Sequence, residues 1–371
     1  MSGRKKTRMK SGDFVLTIIV LGLVVFGIIM VFSSSYYYAI NDSGDPYYFL
    51  KRDIMWAGIG LVLMIFCALF DYRIYAKFAP AILAISLVLL GLLFTPLGVT
   101  RNYATRWIGV GEFTIMPGEV AKIAAIIFVS WYLSRDPKTI RSFTKGILPM
   151  LLLIIVYFVL IILQPNLSTA ITISGIIIGI MFVAGLHLAY LAVTLGLGTV
   201  GITALILTDE GGYRLKRLTS FLDPFQDPLG DGYQVIQSLL ALGSGGIFGV
   251  GLGKSIQKTL YLPEPQNDFI FAIIGEELGF VGVLILIACY IVVIWRGIHI
   301  ALNAADLFGT LLASGITIML AIQVVLNIAV VTSSMPPTGI TLPFISYGGN
   351  ALMLFMGSAG ILLNISRHAA K

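Results

Sequence analysis

The sequence is poor in charged residues. Asp, Glu, Lys and Arg make up 11% of its 371 residues, against about a quarter in an ordinary soluble domain. Apolar residues make up 58%. The interior of a water-soluble fold could not hold that much apolar surface, so the composition excludes a soluble globular protein and predicts an integral membrane protein.

Cysteine and histidine are also scarce. The two cysteines, Cys67 and Cys289, lie inside apolar runs, each far from a second thiol, which excludes a disulfide framework and a zinc-type spacing. Three scattered histidines do not suggest a shared metal site. Linkers and low-complexity tracts are absent. We therefore expect a single membrane domain over residues 1–371, with no soluble appendage.

Long apolar runs are abundant. A helix needs about 20 mostly apolar residues to cross a bilayer, and about ten runs approach this length. The prediction is an all-α fold of about ten transmembrane helices. These runs centre on residues 14–32, 54–70, 79–94, 120–133, 147–163, 170–183, 188–207, 269–295, 307–331 and 345–365.

Basic residues set the orientation. A basic N-terminal segment, residues 1–12, precedes the first run, which is too long for a signal peptide and is not followed by a small-x-small cleavage pattern. Lys and Arg are frequent in the connections that lie on the same side as this segment. The positive-inside rule therefore predicts that both termini are cytoplasmic, and it accounts for much of the net charge of +6 without a nucleic-acid partner.

One connection is long. Residues 209–267 form an extracytoplasmic loop between the seventh and eighth spans, and loops of this length are usually functional. Its segment 233–240 is amphipathic and fits either a short interfacial helix or a covering lid. Its glycine-rich segment 243–255 has Phe248 where a nucleotide-binding loop needs glycine, so the glycines are expected to serve tight turns.

Charged residues in or beside the spans are costly, and they are therefore candidates for function. Glu119 and Lys122 are three residues apart, share a helix face and can form an ion pair. Asp268 lies at the start of the eighth span and follows a rigid segment that contains two prolines. Glu276 lies on about the same side of that helix as Asp268, and Glu277 lies on the opposite side. These charges are compatible with a lipid-phosphate sugar transferase, a flippase or an ion-coupled carrier.

Four motifs carry a family resemblance. They are Arg106-Trp107-Ile108 with Pro117-x-Glu119-x-x-Lys122, residues 227–238, residues 262–279 and residues 337–349. In these motifs the sequence resembles the shape, elongation, division and sporulation (SEDS) family, which includes FtsW, RodA and SpoVE. The resemblance implies a bacterial inner-membrane peptidoglycan glycosyltransferase that polymerises lipid II together with a class B penicillin-binding transpeptidase and other divisome or elongasome proteins.

The resemblance also implies roles for individual residues. The family's essential aspartate corresponds to Asp268, which we expect to be the general base, and Arg106 and Lys122 are expected to hold pyrophosphate beside Glu119. Mg²⁺ or Mn²⁺ assistance is implied by the resemblance alone. Supporting roles fall to Glu276, Glu277, Asn166, Ser346 and Tyr347. Asn166 stands where the family commonly has aspartate, although its amide still forms hydrogen bonds.

Three alternatives remain open from the sequence. The protein is a lipid II flippase or carrier, a non-catalytic scaffold for a penicillin-binding protein, or a polymerase of the RodA-like elongation type. Residues 335–341 and Pro265-Gln266-Asn267 favour the division and sporulation members, and the active face is expected to be extracytoplasmic.

Overall fold

The computed structural model describes residues 12–101, 104–110, 113–207, 219, 221–230 and 232–369. The basic residues 4–10 of the orientation argument, and Arg214, Lys216 and Arg217 of the long loop, lie outside this part. The principal helices are α1 (Phe14–Ser43), α2 (Tyr48–Leu69), α3 (Arg73–Leu92), α4 (Pro117–Ser134), α5 (Leu148–Ile162), α6 (Leu167–Val183), α7 (Leu188–Leu207), α8 (Tyr233–Ser244), α9 (Ile270–Leu302), α10 (Leu307–Val331) and α11 (Gly349–Arg367).

Most of these helices have membrane-spanning character. Among the described residues, seven helices are long and apolar enough to cross a bilayer: α1, α2, α3, α5 with the π-turn before it, α9, α10 and α11. Helices α6 and α7 add shorter apolar stretches. The prediction of a mainly helical integral membrane protein is confirmed, and the count of ten spans stays a prediction.

A small β-sheet interrupts the helical pattern. Strands β1 (Gly98–Arg101), β2 (Ala104–Val110) and β3 (Phe113–Ile115) form an antiparallel sheet in the order β1-β2-β3 between α3 and α4. Thr100 and Thr105 share a hydrogen bond of 2.7 Å across the first pair. The apolar runs predict only a connection between the spans at 79–94 and 120–133, although threonine, tryptophan, isoleucine and valine in β2 suit a strand. The sheet fixes the position of Arg106 and Trp107.

Helix α10 lies at the centre of the bundle and packs against α4, α6 and α9. Small residues allow these helices to approach closely, as expected where lipid supplies no hydrophobic force between them. A Cβ added at Gly315 would lie 2.7 Å from Ile126 of α4, and one added at Gly297 would lie 2.3 Å from Thr317. Helices α2 and α11 pack along one another in the same way, with Gly360 against the backbone of Met64.

Helix α9 is broken near its start. Gly279 has φ 67° and ψ −169°, a conformation that is essentially restricted to glycine. The glycine-rich loop before the helix supplies the missing hydrogen bonds: the N–H groups of Val250 and Gly251 donate to the carbonyls of Glu276 and Glu277, each at 3.0 Å. In the other direction, the N–H groups at 280 and 281 donate to the carbonyls at 246 and 247, at 2.9 and 3.1 Å. This loop therefore makes tight turns, as predicted, and the single span expected over 269–295 has two segments.

Polar contacts connect the helices at the end of the bundle that lies away from the break in α9. Asp13 caps α1 and pairs with Arg296 near the end of α9. Asp306 caps α10 and accepts hydrogen bonds from Tyr72 at 2.7 Å and Arg73 at 2.9 Å. Burial opposes the charge of Asp306, but hydrogen bonds from Tyr72, the N–H of Gly309 and Arg73 outweigh it and keep the pKa of this carboxyl below its usual value. These contacts connect the ends of α1, α3, α9 and α10 away from the cavity described next.

Candidate active site

A polar cavity opens where α4, α10, α11 and the sheet meet the loops before α9 and α11. Its volume is about 520 Å³. It brings together residues that lie more than 200 positions apart in the sequence. The polar side chains that line it are Arg52, Trp56, Arg106, Trp107, Thr114, Glu119, Lys122, Thr169, Thr172, Gln234, Glu264, Asn267, Asp268, Gln323, Thr338, Thr341, Tyr347 and Asn350.

Asp268 and Arg106 meet at one wall of this cavity. Asp268 lies two residues before α9, and its carbonyl accepts a hydrogen bond from Asn327 Nδ2 at 2.9 Å. Arg106 projects from β2, and its guanidinium donates to the carbonyl of Pro165. Both side chains border Gly339: a Cβ added there would lie 3.3 Å from Asp268 Oδ2 and 4.0 Å from Arg106 Nη1. Gly339 also has φ 72°, so a larger residue would be strained and would crowd the Asp268 carboxylate.

Glu119 and Lys122 form the predicted ion pair at the first turns of α4. Lys122 Nζ lies 2.7 Å from Glu119 Oε1 and 2.9 Å from Gln323 Oε1 of α10. Only 3% of Lys122 is exposed. A buried ammonium needs a counter-charge and further acceptors, and these two contacts supply both. The pair adds no net charge to this wall, and it holds an ammonium at the edge of the cavity.

Glu276 and Glu277 do not line the cavity. Glu277 is fully buried, pairs with Lys258 at 2.7 Å and accepts from Ser33 of α1, also at 2.7 Å. Glu276 accepts from the hydroxyl of Ser255 and from the N–H of Ile256. Both glutamates therefore attach the loop before Asp268 to the broken helix, which is a structural task.

The chain is similar to known proteins over almost its whole length. A model of the family described as Cell cycle protein, covering FtsW, RodA and SpoVE, matches residues 14–371. Stage V sporulation protein E of Bacillus subtilis is 47% identical over 365 residues, which cover 98% of this chain and 99% of that protein. The probable peptidoglycan glycosyltransferase FtsW of Trichlorobacter lovleyi is 40% identical over 365 residues, or 98% of this chain and 95% of the relative. The chain belongs to this family.

Solved structures of the FtsW/RodA/SpoVE family share its fold. A chain from a peptidoglycan synthase complex, in which polymerisation and crosslinking are structurally coordinated, superposes with a TM-score of 0.80 at 29% identity and covers 96% of this chain and 98% of its own. The rod shape determining protein RodA of Thermus thermophilus gives a TM-score of 0.72 at 27% identity, with 97% and 98% covered. The helical bundle therefore has a fold that solved structures of the family share.

The remaining expected residues of this FtsW/RodA/SpoVE family member lie around the cavity in structural positions. Asn166 caps α6 by accepting the N–H of Thr169 at 3.2 Å, a task that an aspartate would perform equally well. Ser346 accepts the N–H of Leu342 at 2.8 Å and closes a turn. Tyr347 lines the cavity, and its N–H donates to the carbonyl of Gln266 at 2.9 Å, which connects this segment to the loop before Asp268.

Several cavity residues were not predicted from the sequence. Arg52 and Trp56 of α2, Asn350 of α11, and Gln323 of α10 all line the cavity. Gln323 and Asn327 are amides one helical turn apart in an otherwise apolar span, and that spacing was the available signal. A search for charges alone passes over them because amides carry none.

Metal ligands do not cluster in the described part of the chain. No group of three or more His, Cys, Asp or Glu side chains there could hold an ion. Glu264 and Asp268 both line the cavity, and Mg²⁺ is often held by one or two carboxylates together with substrate phosphates. The residues present therefore fit a cation shared with a phosphorylated substrate, and they do not fit a fully protein-bound metal centre.

Proposed function

We propose that this membrane protein is a peptidoglycan glycosyltransferase that polymerises lipid II into glycan strands. The relative from Trichlorobacter lovleyi is named a probable peptidoglycan glycosyltransferase. The observation that carries the proposal is the meeting of the Asp268 carboxylate and the Arg106 guanidinium around Gly339 in a polar cavity. A glycosyl transfer to a hydroxyl, with pyrophosphate leaving, needs a carboxylate and cations in one place.

The reaction assigns a task to each group. The 4-hydroxyl of one lipid-linked disaccharide attacks the anomeric carbon of another, and the bond from that carbon to undecaprenyl pyrophosphate breaks. Asp268 accepts the proton of the attacking hydroxyl. Arg106 and Lys122 hold the leaving pyrophosphate, Arg106 through the charge of its guanidinium and Lys122 through the N–H groups of its ammonium. A single displacement of this kind inverts the α-linked donor to a β-linked product, as general-base catalysis by one carboxylate allows.

A divalent cation belongs to the proposal as an assisting group. Glu264, which lines the same cavity as Asp268, would hold it together with substrate phosphates. Bound there, Mg²⁺ or Mn²⁺ would neutralise charge on the leaving group. Polymerisation assays on metal-stripped protein, with Mg²⁺ and Mn²⁺ titrated back, decide whether a cation is needed.

The test of Asp268 is its replacement by asparagine. Purified Asp268→Asn protein should bind lipid II with nearly unchanged affinity and polymerise it roughly 10²- to 10⁴-fold more slowly, because general-base assistance is typically of that size. Asp223→Asn, in an exposed part of the long loop, makes the same chemical change outside the cavity and should polymerise normally. Polymerisation near the wild-type rate by Asp268→Asn would show that another group takes the proton.

The same assay separates the polymerase from a carrier. Detergent-solubilised protein has no second compartment, so a flippase gives no product there, whereas a polymerase makes glycan strands from lipid II. A non-catalytic scaffold differs again, because cells that carry Asp268→Asn would grow normally. Glycan strands made by the wild-type protein in detergent support the enzyme over both.

We also propose the setting in which the enzyme works. The active face is extracytoplasmic, both termini are cytoplasmic, and a class B penicillin-binding transpeptidase is the partner. Support comes from the solved relative that is part of a complex coordinating polymerisation with crosslinking. The identities of 47% to SpoVE and 40% to FtsW, each over 98% of this chain, favour division or sporulation.

A further inference from the structure

Gln323 lies between the cavity and the buried ion pair of α4. Its side chain is fully buried and lines the cavity wall. Its Oε1 accepts a hydrogen bond from Lys122 Nζ at 2.9 Å. An ammonium group only donates, so the oxygen of the amide faces Lys122 and the NH₂ group faces away from it.

The NH₂ group of Gln323 has no hydrogen-bond partner among the residues that the structure describes. Almost all buried amide groups in proteins are paired, and an unpaired buried donor costs free energy unless a ligand or an ordered water fills it. Gln323 could escape this cost by rotating its amide only if it gave up the acceptor that holds Lys122. The ion pair therefore fixes a donor beside the cavity.

The surroundings select an anionic oxygen as the partner of this donor. Lys122 lies at the same wall, with its Nζ 2.7 Å from Glu119 Oε1. Donor groups beside an ammonium bind phosphate oxygens more strongly than neutral acceptors, because a hydrogen bond to a charged group is roughly twice as strong. Thr169 and Thr172 also line the cavity and add hydroxyl groups to its polar surface.

We propose that Gln323 binds substrate directly: its amide NH₂ donates to a phosphate oxygen of the lipid-linked pyrophosphate, next to Lys122. This assignment rests on the proposed function and adds a residue to its substrate site. Gln323 then has two tasks, since its oxygen orients Lys122 and its nitrogen contacts the ligand.

Binding of pyrophosphate tests this assignment. Titration calorimetry on detergent-solubilised protein should show that Gln323→Met binds inorganic pyrophosphate and undecaprenyl pyrophosphate roughly tenfold more weakly than the wild type, the loss expected for one hydrogen bond to a charged group. The KM for lipid II should rise accordingly. Wild-type affinity in Gln323→Met would overturn the assignment.

A variant that lacks the Glu119–Lys122 ion pair distinguishes direct binding of the ligand by Gln323 from orientation of Lys122 by Gln323. Glu119→Gln/Lys122→Met removes the whole ion pair and leaves no unpaired buried charge. Adding Gln323→Met to that background should weaken pyrophosphate binding again, by about three- to tenfold. No further loss in this background would mean that Gln323 acts only by orienting Lys122, or that an ordered water alone occupies its donor, and the proposal would fall.

A second variant, Gln323→Glu, tests the same contact. If Gln323→Met does not fold, Gln323→Glu keeps the acceptor that faces Lys122 and replaces the donor with an oxygen, so pyrophosphate affinity should fall at least tenfold. Gln226→Glu adds the same charge to the exposed loop and should bind as the wild type does. Wild-type affinity in Gln323→Glu overturns the proposal. If the wild type binds pyrophosphate but makes no glycan strands, the proposed function fails, and the comparison of affinities still decides the role of Gln323.

Discussion

Asn327 holds the backbone at the site through two hydrogen bonds. Its Nδ2 donates to the carbonyl of Asp268 at 2.9 Å and to the carbonyl of Ile340 at 2.7 Å. It thereby joins the segment that carries Asp268 to the segment that carries Gly339. Asn327 is 1% exposed, so no solvent replaces these bonds when they are lost. We therefore expect the position of the Asp268 carboxylate to depend on this amide.

Removing the amide should slow the chemistry more than it weakens binding. Asn327→Leu should lower the polymerisation rate by about 10- to 100-fold, because a displacement of about 1 Å at a reacting group has an effect of that order. The affinity for lipid II should change by less than about threefold. Asn303→Leu, at the far end of α9, is the matched control and should polymerise normally. A large change in affinity with an unchanged rate would assign Asn327 to binding.

The buried pair of Lys258 and Glu277 should matter for folding. Lys258→Met leaves a carboxylate without its cation in a fully buried position, which should destabilise the protein by about 3–5 kcal/mol in thermal or chemical unfolding. The double variant Lys258→Met/Glu277→Gln should recover most of this loss.

An exposed ion pair gives the comparison. Lys51 and Asp45 lie 2.8 Å apart with side chains that are 69% and 40% exposed, so Lys51→Met should change stability by less than about 1 kcal/mol. Equal effects of Lys51→Met and Lys258→Met would show that the buried pair is not required for stability.

At the residue scale, ionisable residues near a span can be recognised from the sequence, whereas amides cannot. Asp268, Glu119 and Lys122 were identified because ionisable residues near a span are rare and costly, and Arg106 was identified by the family resemblance. The roles of Gln323 and Asn327 depend on which atoms face Lys122 and the carbonyl of Asp268. Those contacts join residues about 200 and 59 positions apart, and neither composition nor periodicity contains them.

At the scale of secondary structure, the helices were predictable from runs of apolar residues, whereas the sheet and the break in α9 were not. Strands β1 and β3 have four and three residues, too few for a pattern of alternation to be recognised. The break depends on hydrogen bonds between residues 246–251 and 276–281. Only the clustering of glycines in the preceding loop hinted at it.

Gly279 is the position where the break should be most sensitive. Gly279→Ala places a Cβ 2.2 Å from the backbone nitrogen of Gly249, in a conformation that other residues rarely adopt. Both effects should together destabilise the protein by more than about 3 kcal/mol, measured by thermal unfolding in detergent.

Gly58→Ala is the control for this substitution. Gly58 lies inside α2 with no atom within 4 Å of an added Cβ, so the change should be neutral or stabilising by up to about 1 kcal/mol. Equal stability of the two variants would mean that the break at Gly279 is not fixed by its backbone conformation.

At the scale of the whole molecule, the orientation in the membrane is the main prediction from charge. In a Cys67→Ala/Cys289→Ala background, a cysteine at exposed Phe225 should react with a membrane-impermeant maleimide added to intact cells. A cysteine at Lys138, in the connection between α4 and α5, should react only after the membrane is opened. The reverse pattern would contradict cytoplasmic termini and an extracytoplasmic active face.

The order of the chain has a consequence for how the broken helix is made. Residues 246–251, which supply hydrogen bonds to the break, precede Gly279 in the sequence. Proteins are synthesised from the amino end, so this loop has already left the ribosome when the break emerges. A backbone interrupted at membrane depth is tolerated only when its polar groups are paired, and here the partner is available from the moment of insertion.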